Sequence, residues 1–337
     1  MKKNLKKILV GLVVVIVLAV IFLRGDQLEE LVTTIERGAP LFLIGAVVFQ
    51  LGKYFAQGAS FIWCFKSVGS RLSLKEGIKL VFATFFVDTV IPSFNMSGTS
   101  IVIAEAAHEH ISAGKATGAA LLRQVSINAG FLVIMVIGFA ILGIAGGLNA
   151  GWIALGVIAI LIVGGMVAAM AFAAMKPDLL LKLLAPLVRV IDRFLTKRKK
   201  KPVDAWVKDT VNTYAQSAAL MTKNKQDIGA DLGLNVAASI FELGCFAFVA
   251  LAFGVHDIEA MICGYVVVTL FAMISFVPQG VGVVEAAALV TFALFGIDEV
   301  IMVYRAIVFW LPFLIGAVVI QRSKLLSEHE KSTKSAS

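Results

Sequence analysis

The chain has 337 residues, of which 59% are hydrophobic and 15% charged, with a mean hydropathy of +0.93. That leaves too little polar surface to cover a soluble domain of this length, so the composition indicates a polytopic membrane protein. The formal charge of +8 does not point to nucleic acid, because the basic residues fall mostly in loops and no basic-aromatic groove module accompanies them.

The N-terminal stretch MKKNLKKILVGLVVVIVLAVIFLRGD has a charged region and then an apolar one, but no small-x-small cleavage site. Residues 8–23 are therefore predicted to form an uncleaved first span. Further apolar segments fall at about 40–65, 78–96, 98–111, 117–146, 152–175, 229–253, 260–277, 281–296 and 300–320. A full helical crossing takes about 20 residues. Segments 98–111 and 281–296 are short, and each is set off from its predecessor by a Pro/Gly/Ser break instead of a polar loop. The predicted fold is all-α, with about six full spans and two re-entrant helical hairpins at 78–111 and 260–296.

Orientation follows from Lys and Arg in the short loops. Lys2, Lys3, Lys6 and Lys7 place the N-terminus in the cytoplasm, and the acid-rich 24–39 loop lies outside. Lys66, Arg71, Lys75 and Lys79 return the chain to the cytoplasm, as do TKRKKK at 196–201 and the tail with Arg322 and Lys324. The first hairpin then enters from the cytoplasm and the second from outside, in the cell (plasma) membrane.

The two broken regions are alike. IPSFNMSGTSIVIAEAAHEHISAGKATGAALLRQ and FVPQGVGVVEAAALVTFALFGIDEVIMVYRA each carry a Pro, a Gly, an acid (Glu105, Glu285), a further Gly (Gly114, Gly296) and an Arg (Arg123, Arg305) early in the next helix. Oppositely inserted copies make an inverted repeat, as in many secondary transporters. The expected organisation is one integral membrane domain over 1–337. It has repeat 1 at about 40–146, a cytoplasmic amphipathic and basic segment at 176–228, repeat 2 at about 229–320, and a tail at 321–337. Within 176–228, PDLLLKLLAPLVRVIDRFL has an apolar face opposite Lys182, Arg189 and Arg193 and is expected to lie along the inner membrane surface.

An ionisable residue inside a span costs roughly 2.5–3.5 kcal/mol even on the mildest scale. Lys53, Asp88, Glu105, Arg123, Glu242, Glu285 and Arg305 all fall at or near membrane depth. One reading makes them structural acid-base pairs; the other makes them the lining of a path for a charged substrate. Lys53 and Glu242 occupy comparable positions in the helices before the two hairpins and form a candidate pair.

The second arms of the hairpins begin near Ser97-Gly98 and Gly280–Gly282. A helix N-terminus there presents unpaired N–H groups to a phosphate or carboxylate. Ser97, Gly98, Gly280 and Gly282 are thus candidate substrate-binding residues, with Arg123 and Arg305 as fixed cations. Glu105, Glu242 and Glu285 are candidates for coupling or for an amino headgroup, although Glu285, in a first turn, also suits a helix cap. HEHISAGK at 108–115 lacks metal spacing, and Cys64, Cys245 and Cys263 read as small core residues. No metal, no cofactor and no catalytic residue are expected.

The run VPQGVGVVEAAALVTFALFGI, continued by VYRAIVFWLPFLIGAVV with Pro312 and Gly316, resembles the C-terminal signature of the lysylphosphatidylglycerol synthase transmembrane, or flippase-like, family. PSFNMSGTSIVIAEAAHEHISAGKATGAALL is similar to its first-half pattern in a Ser-Gly version, and the resemblance runs from about 8 to 322. It implies a lipid-handling domain that moves aminoacylated phosphatidylglycerol across the bilayer, with aminoacyl transfer done by a separate soluble domain. No such domain follows the last span before Ser337, so the lipid-charging enzyme activity is not expected of this chain. Members with a Gly-Gly-Glu-x-x-Arg first motif have an Arg that this sequence lacks, and other relatives are associated with polyprenyl-phosphate or glycan lipids.

The expected function is transport of an anionic or aminoacylated phospholipid, or a lipid-linked headgroup, between leaflets. A lysyltransferase-type lipid-modification component, a small-solute or ion transporter, and a non-transporting scaffold are the alternatives. Expected partners are a membrane phospholipid, a separate synthase and a second copy of the chain, with no nucleic acid.

Overall fold

The computed structural model describes residues 33–90, 97–108, 111–145, 150–197, 204–274, 284 and 298–322. Among these the chain is helical throughout, without strands: an all-α polytopic membrane protein. The helices are α1 (Pro40–Ser67), α2 (Leu74–Val90), α3 (Gly98–His108), α4 (Ala113–Ala145), α5 (Ala150–Met175), α6 (Pro177–Lys197), α7 (Asp204–Lys223), α8 (Lys225–Ala252), α9 (Ile258–Ile274), α10 (Asp298–Arg305) and α11 (Leu311–Arg322). Ala306–Trp310 form a π turn that joins α10 to α11.

Among the described residues, five helical stretches are long and apolar enough to cross a membrane: Pro40–Ser67, Ala113–Ile141, Ala150–Met175, Lys225–Ala252 and Val300–Arg322. They coincide with five of the six expected spans; the sixth, 8–23, lies outside the described residues. Among the described residues α2 and α3 have 17 and 11 residues. α9 also has 17 residues, and the rest of the second expected hairpin lies outside the described residues, except Val284.

α1 starts with Pro40, whose fixed φ suits a first helical turn. It ends in a Schellman arrangement: Ser70 N–H donates to the Phe65 carbonyl at 2.9 Å, Gly69 N–H donates to Lys66 at 3.0 Å, and Gly69 has φ +69°. α8 stops in the same way. Val255 N–H reaches Ala250 at 3.0 Å, Gly254 N–H reaches Leu251 at 3.1 Å, and Gly254 has φ +75°.

α1 and α8 run antiparallel along their whole length. Gly45 faces Phe248, Phe49 faces Gly244, and Gly52 faces Phe241, so each aromatic ring sits where the opposite helix has no side chain. At one end Lys66 pairs with Asp227 at 2.9 Å, and at the other Ala39 N–H donates to the Ala252 carbonyl at 2.9 Å. Between membrane helices there is little hydrophobic driving force, and close packing over small residues takes its place. The same device joins α1 to α2 (Gly58 on Gly77), α4 to α8 (Gly130 on Asn235), α2 to α11 (Phe82 on Gly316) and α4 to α9 (Gly138 on Ile262).

Two apolar clusters result. One gathers Phe131, Met135, Phe246, Tyr265 and Tyr304; the other gathers Phe61, Phe65, Leu80, Phe86 and Phe313. α1 and α4 each pass from one cluster to the other, and the buried polar residues Gln50, Ser60, Ser126, Asn128, Asp231 and Asn235 lie along this passage. α6 keeps Leu179, Leu183, Leu187 and Val190 exposed.

Candidate functional site

A cavity of about 710 Å³ opens where α1 and α4 pass between the clusters. α1 contributes Lys53, Tyr54 and Gln57, α2 contributes Thr84, Phe85 and Asp88, and α4 contributes Arg123, Gln124 and Asn128. Glu242 of α8 and Thr269 and Met273 of α9 add the other half of the chain, and Met166 and Met170 of α5 close one side. The opposite face of α5 exposes Val157, Leu161 and Val167, so among the described residues this wall is a single helix thick. Asn128 Nδ2 donates to Met166 Sδ at 3.1 Å and ties the wall to α4.

Among the described residues, four charged side chains line the cavity. Lys53 Nζ and Glu242 Oε1 form a direct ion pair, the pairing anticipated from their matching positions. Asp88 is held at the N-terminus of α3: its Oδ1 accepts from the Gly98 N–H at 2.6 Å and from Ser97 Oγ at 2.9 Å. The chain thus supplies an anion to the half-helix start itself, and Ser97 and Gly98 meet a carboxylate of α2.

Arg123 is different. Its guanidinium stacks on the Phe61 ring at 4.1 Å, and its buried Nε has no hydrogen-bond acceptor. Asp88 and Asp231 lie within its electrostatic reach, yet neither makes an ion pair with it. Arg123 lies about three turns into α4, deeper than the helix start expected from the sequence. The reason is that α4 begins at Ala113, before the apolar run that starts at about 117, and runs straight through Gly114, which lets α4 approach Thr213 of α7.

Beside Arg123 is a polar cluster that the reading of intramembrane charges missed. Asp231 is fully buried, Asn235 is 1% exposed and Ser60 is fully buried. Ser60 Oγ donates to Asp231 Oδ1 at 2.6 Å, and Asn235 Nδ2 donates to Ser60 Oγ at 2.9 Å and to Asp231 Oδ1 at 3.1 Å. Among the described residues Asp231 Oδ2 and Asn235 Oδ1 have no hydrogen-bond partner, and Ser126 and Cys64 lie against the Asp231 carboxylate. The available signal was an Asp and an Asn four apart within an apolar stretch of α8, which puts them on one face.

The remaining expected residues are dispersed. Glu105 pairs with Lys79 at 2.9 Å, away from the cavity lining. Arg305 is 8% exposed, and its guanidinium lies 4.8 Å from the Phe309 ring, within the π turn that follows it. Gly280, Gly282 and Glu285 lie outside the described residues. Among the described residues no three His, Cys, Asp or Glu side chains converge as metal ligands would.

One protein family, described as the Lysylphosphatidylglycerol synthase TM region, matches residues 8–316. No curated protein sequence matches the chain.

Proposed function

Because the chain belongs to the lysylphosphatidylglycerol synthase TM region family, we propose that it moves an anionic or aminoacylated phospholipid between leaflets, with the headgroup passing through the cavity at Arg123. The observation that carries this reading is Arg123 itself: a guanidinium lining a cavity inside a membrane protein, with a buried Nε lacking an acceptor and, among the described residues, no carboxylate in an ion pair with it. A cation in such a place is expensive without an anion, and a planar guanidinium matches a phosphate diester. The volume of about 710 Å³ suits a polar headgroup of small-molecule size. Acyl chains would stay in the bilayer beside α5, the single-helix wall.

Lys53 and Glu242 offer a second polar contact, and Ser97 and Gly98 become available to a substrate anion when Asp88 leaves them. In the second half Arg305, Gly280, Gly282 and Glu285 fill the equivalent roles, and Glu105 secures the first hairpin. α2 and α3 form a re-entrant hairpin in this reading, with α9 the first arm of its counterpart. An inverted repeat is supported by the antiparallel pairing of α1 with α8 and by their matching Schellman ends at Gly69 and Gly254. It is also supported by reciprocal packing of each half's first hairpin arm on a late helix of the other, Phe82 on Gly316 and Ile262 on Gly138. Lys66, Lys75, Lys79, Lys176 and Lys225 fall at helix ends that would share the cytoplasmic side of the plasma membrane.

The test is translocation of headgroup-labelled phosphatidylglycerol and lysylphosphatidylglycerol in proteoliposomes. Arg123→Ala is expected to slow transport at least about tenfold, and Arg123→Lys less, since it keeps charge but loses the bidentate grip. Wild-type rates in Arg123→Ala would overturn the assignment.

A further inference from the structure

The proposed path leaves Asp231 unexplained. It is a fully buried carboxylate in a spanning helix, and burying a charge at that depth requires a partner. Asp88, by contrast, is accounted for as the cap of α3.

The geometry around Asp231 lacks one donor. Its Oδ1 receives Ser60 Oγ and Asn235 Nδ2, whereas Oδ2 and the Asn235 Oδ1 have no hydrogen-bond partner among the described residues, with Ser126 and Cys64 lying against the carboxylate. The two residues share a face of α8, one turn apart. A proton on Oδ2 converts one of the two orphan acceptors into a donor, and it also cancels the buried charge. Ionised, the carboxylate instead faces Arg123, whose field it shares with Asp88. The groups that face it are Ser60 and Cys64 from α1, Arg123 and Ser126 from α4, and Asn235 on its own helix. Asp227, one turn earlier, is occupied with Lys66 at 2.9 Å.

Arg123 can therefore be balanced in two ways: by an ionised Asp231, or by a substrate phosphate. Both anions at once would place an extra negative charge in a low-dielectric site, where like charges a few ångströms apart repel strongly. We infer that the Ser60–Asp231–Asn235 cluster is a proton-binding site coupled to the anion site at Arg123, so that each anionic headgroup is carried with one proton. This rests on the reading of Arg123 as the headgroup site. When phosphate arrives, a hydronium ion gives up its proton to Asp231 Oδ2, one O–H bond breaking as the other forms and water remaining in solvent, and the site keeps its net charge. When the headgroup leaves, the proton leaves with it, and a proton gradient then biases the direction of lipid movement.

The test uses the full chain in nanodiscs with dihexanoyl-phosphatidylglycerol as the probe. Titration calorimetry in two buffers of different ionisation enthalpy reads protons exchanged per lipid bound. Wild type is expected to take up about one proton per lipid. Asp231→Asn, which mimics the protonated side chain, is expected to bind the probe with no proton uptake and no pH dependence. Infrared difference spectra of wild type containing isotope-labelled aspartate are expected to gain a protonated-carboxyl band on lipid addition, which keeps the test open if Asp231→Asn does not fold. Lipid binding without proton uptake, or without that band, overturns the coupling and leaves the headgroup site standing. Uptake unchanged in Asp231→Asn, or a sodium requirement in place of the proton, also overturns it. Failure of the wild type to bind the probe sinks the headgroup reading and the coupling together.

Discussion

Lys53 and Glu242 offer a sharp test of how the two halves are held. Their side chains are 15% and 18% exposed, so removing either one leaves the other as a nearly desolvated charge. Breaking a fully buried pair from one side costs about 3–5 kcal/mol. The cavity grants both residues some access to water, which points to the lower end, about 3 kcal/mol for Glu242→Gln or Lys53→Met. Removing both partners removes the stranded charge as well, so the double variant should fall within about 1 kcal/mol of wild type. The expected coupling in a double-mutant cycle is then several kcal/mol, far above the few tenths at which distant sites are taken as additive. Denaturation of the purified protein in mild detergent, followed by tryptophan fluorescence, measures all four species. The swap Lys53→Glu with Glu242→Lys should recover most of the loss. Single variants that each cost under about 0.5 kcal/mol and simply add would refute the ion pair as a structural tie.

Three further outcomes follow from the packing and capping. A Cβ on Gly130 would meet the Asn235 backbone carbonyl at 2.6 Å, so Gly130→Ala should cost about 1–3 kcal/mol by forcing α4 off α8; a neutral result in the same melt contradicts that crossing. Ser73 caps α2, donating its N–H at 2.8 Å and its hydroxyl at 2.7 Å to Glu76, and Ser73→Ala should cost about 1 kcal/mol. The Ser73 backbone N–H, then its hydroxyl, holds the Glu76 carboxyl below its ordinary range. The stabilisation is therefore present above the ordinary carboxylate range and fades as pH falls through the lowered value; the Ser73→Ala deficit should shrink in acid, and one that grows there would be contrary. Cys64, Cys245 and Cys263 are each fully buried, so a maleimide should label none of them until the protein is unfolded.

The spans were legible because a run of about 20 apolar residues is a local property. Lys53 with Glu242 was legible too, since matching positions before two similar motifs suggested the pair. The depth of Arg123 was not, because the apolar run begins only at about 117, while the helix starts at Ala113 and packs its Gly114 on Thr213. Nor could the sequence say what anion meets the N-terminus of α3. Asp88 and Gly98 are separated by a Pro/Ser break, and only packing of α2 on α3 brings carboxylate to N–H. Asp231 was passed over because it sits two residues into the segment that begins at 229, beside the charged 176–228 stretch, where a carboxylate reads as a solvated helix end. In the fold α1 and α4 cover that end, and the same residue is wholly buried.

Whether a lipid headgroup occupies the cavity at Arg123 can be read by photo-crosslinking, with a phosphatidylglycerol carrying a photoreactive headgroup in proteoliposomes and adducts mapped by mass spectrometry. Adducts on Gln124, Asn128 and Met166, lost in Arg123→Ala, are the expected result. Adducts confined to Val157, Leu161 and Val167 on the outer face of α5, and indifferent to Arg123, would contradict it.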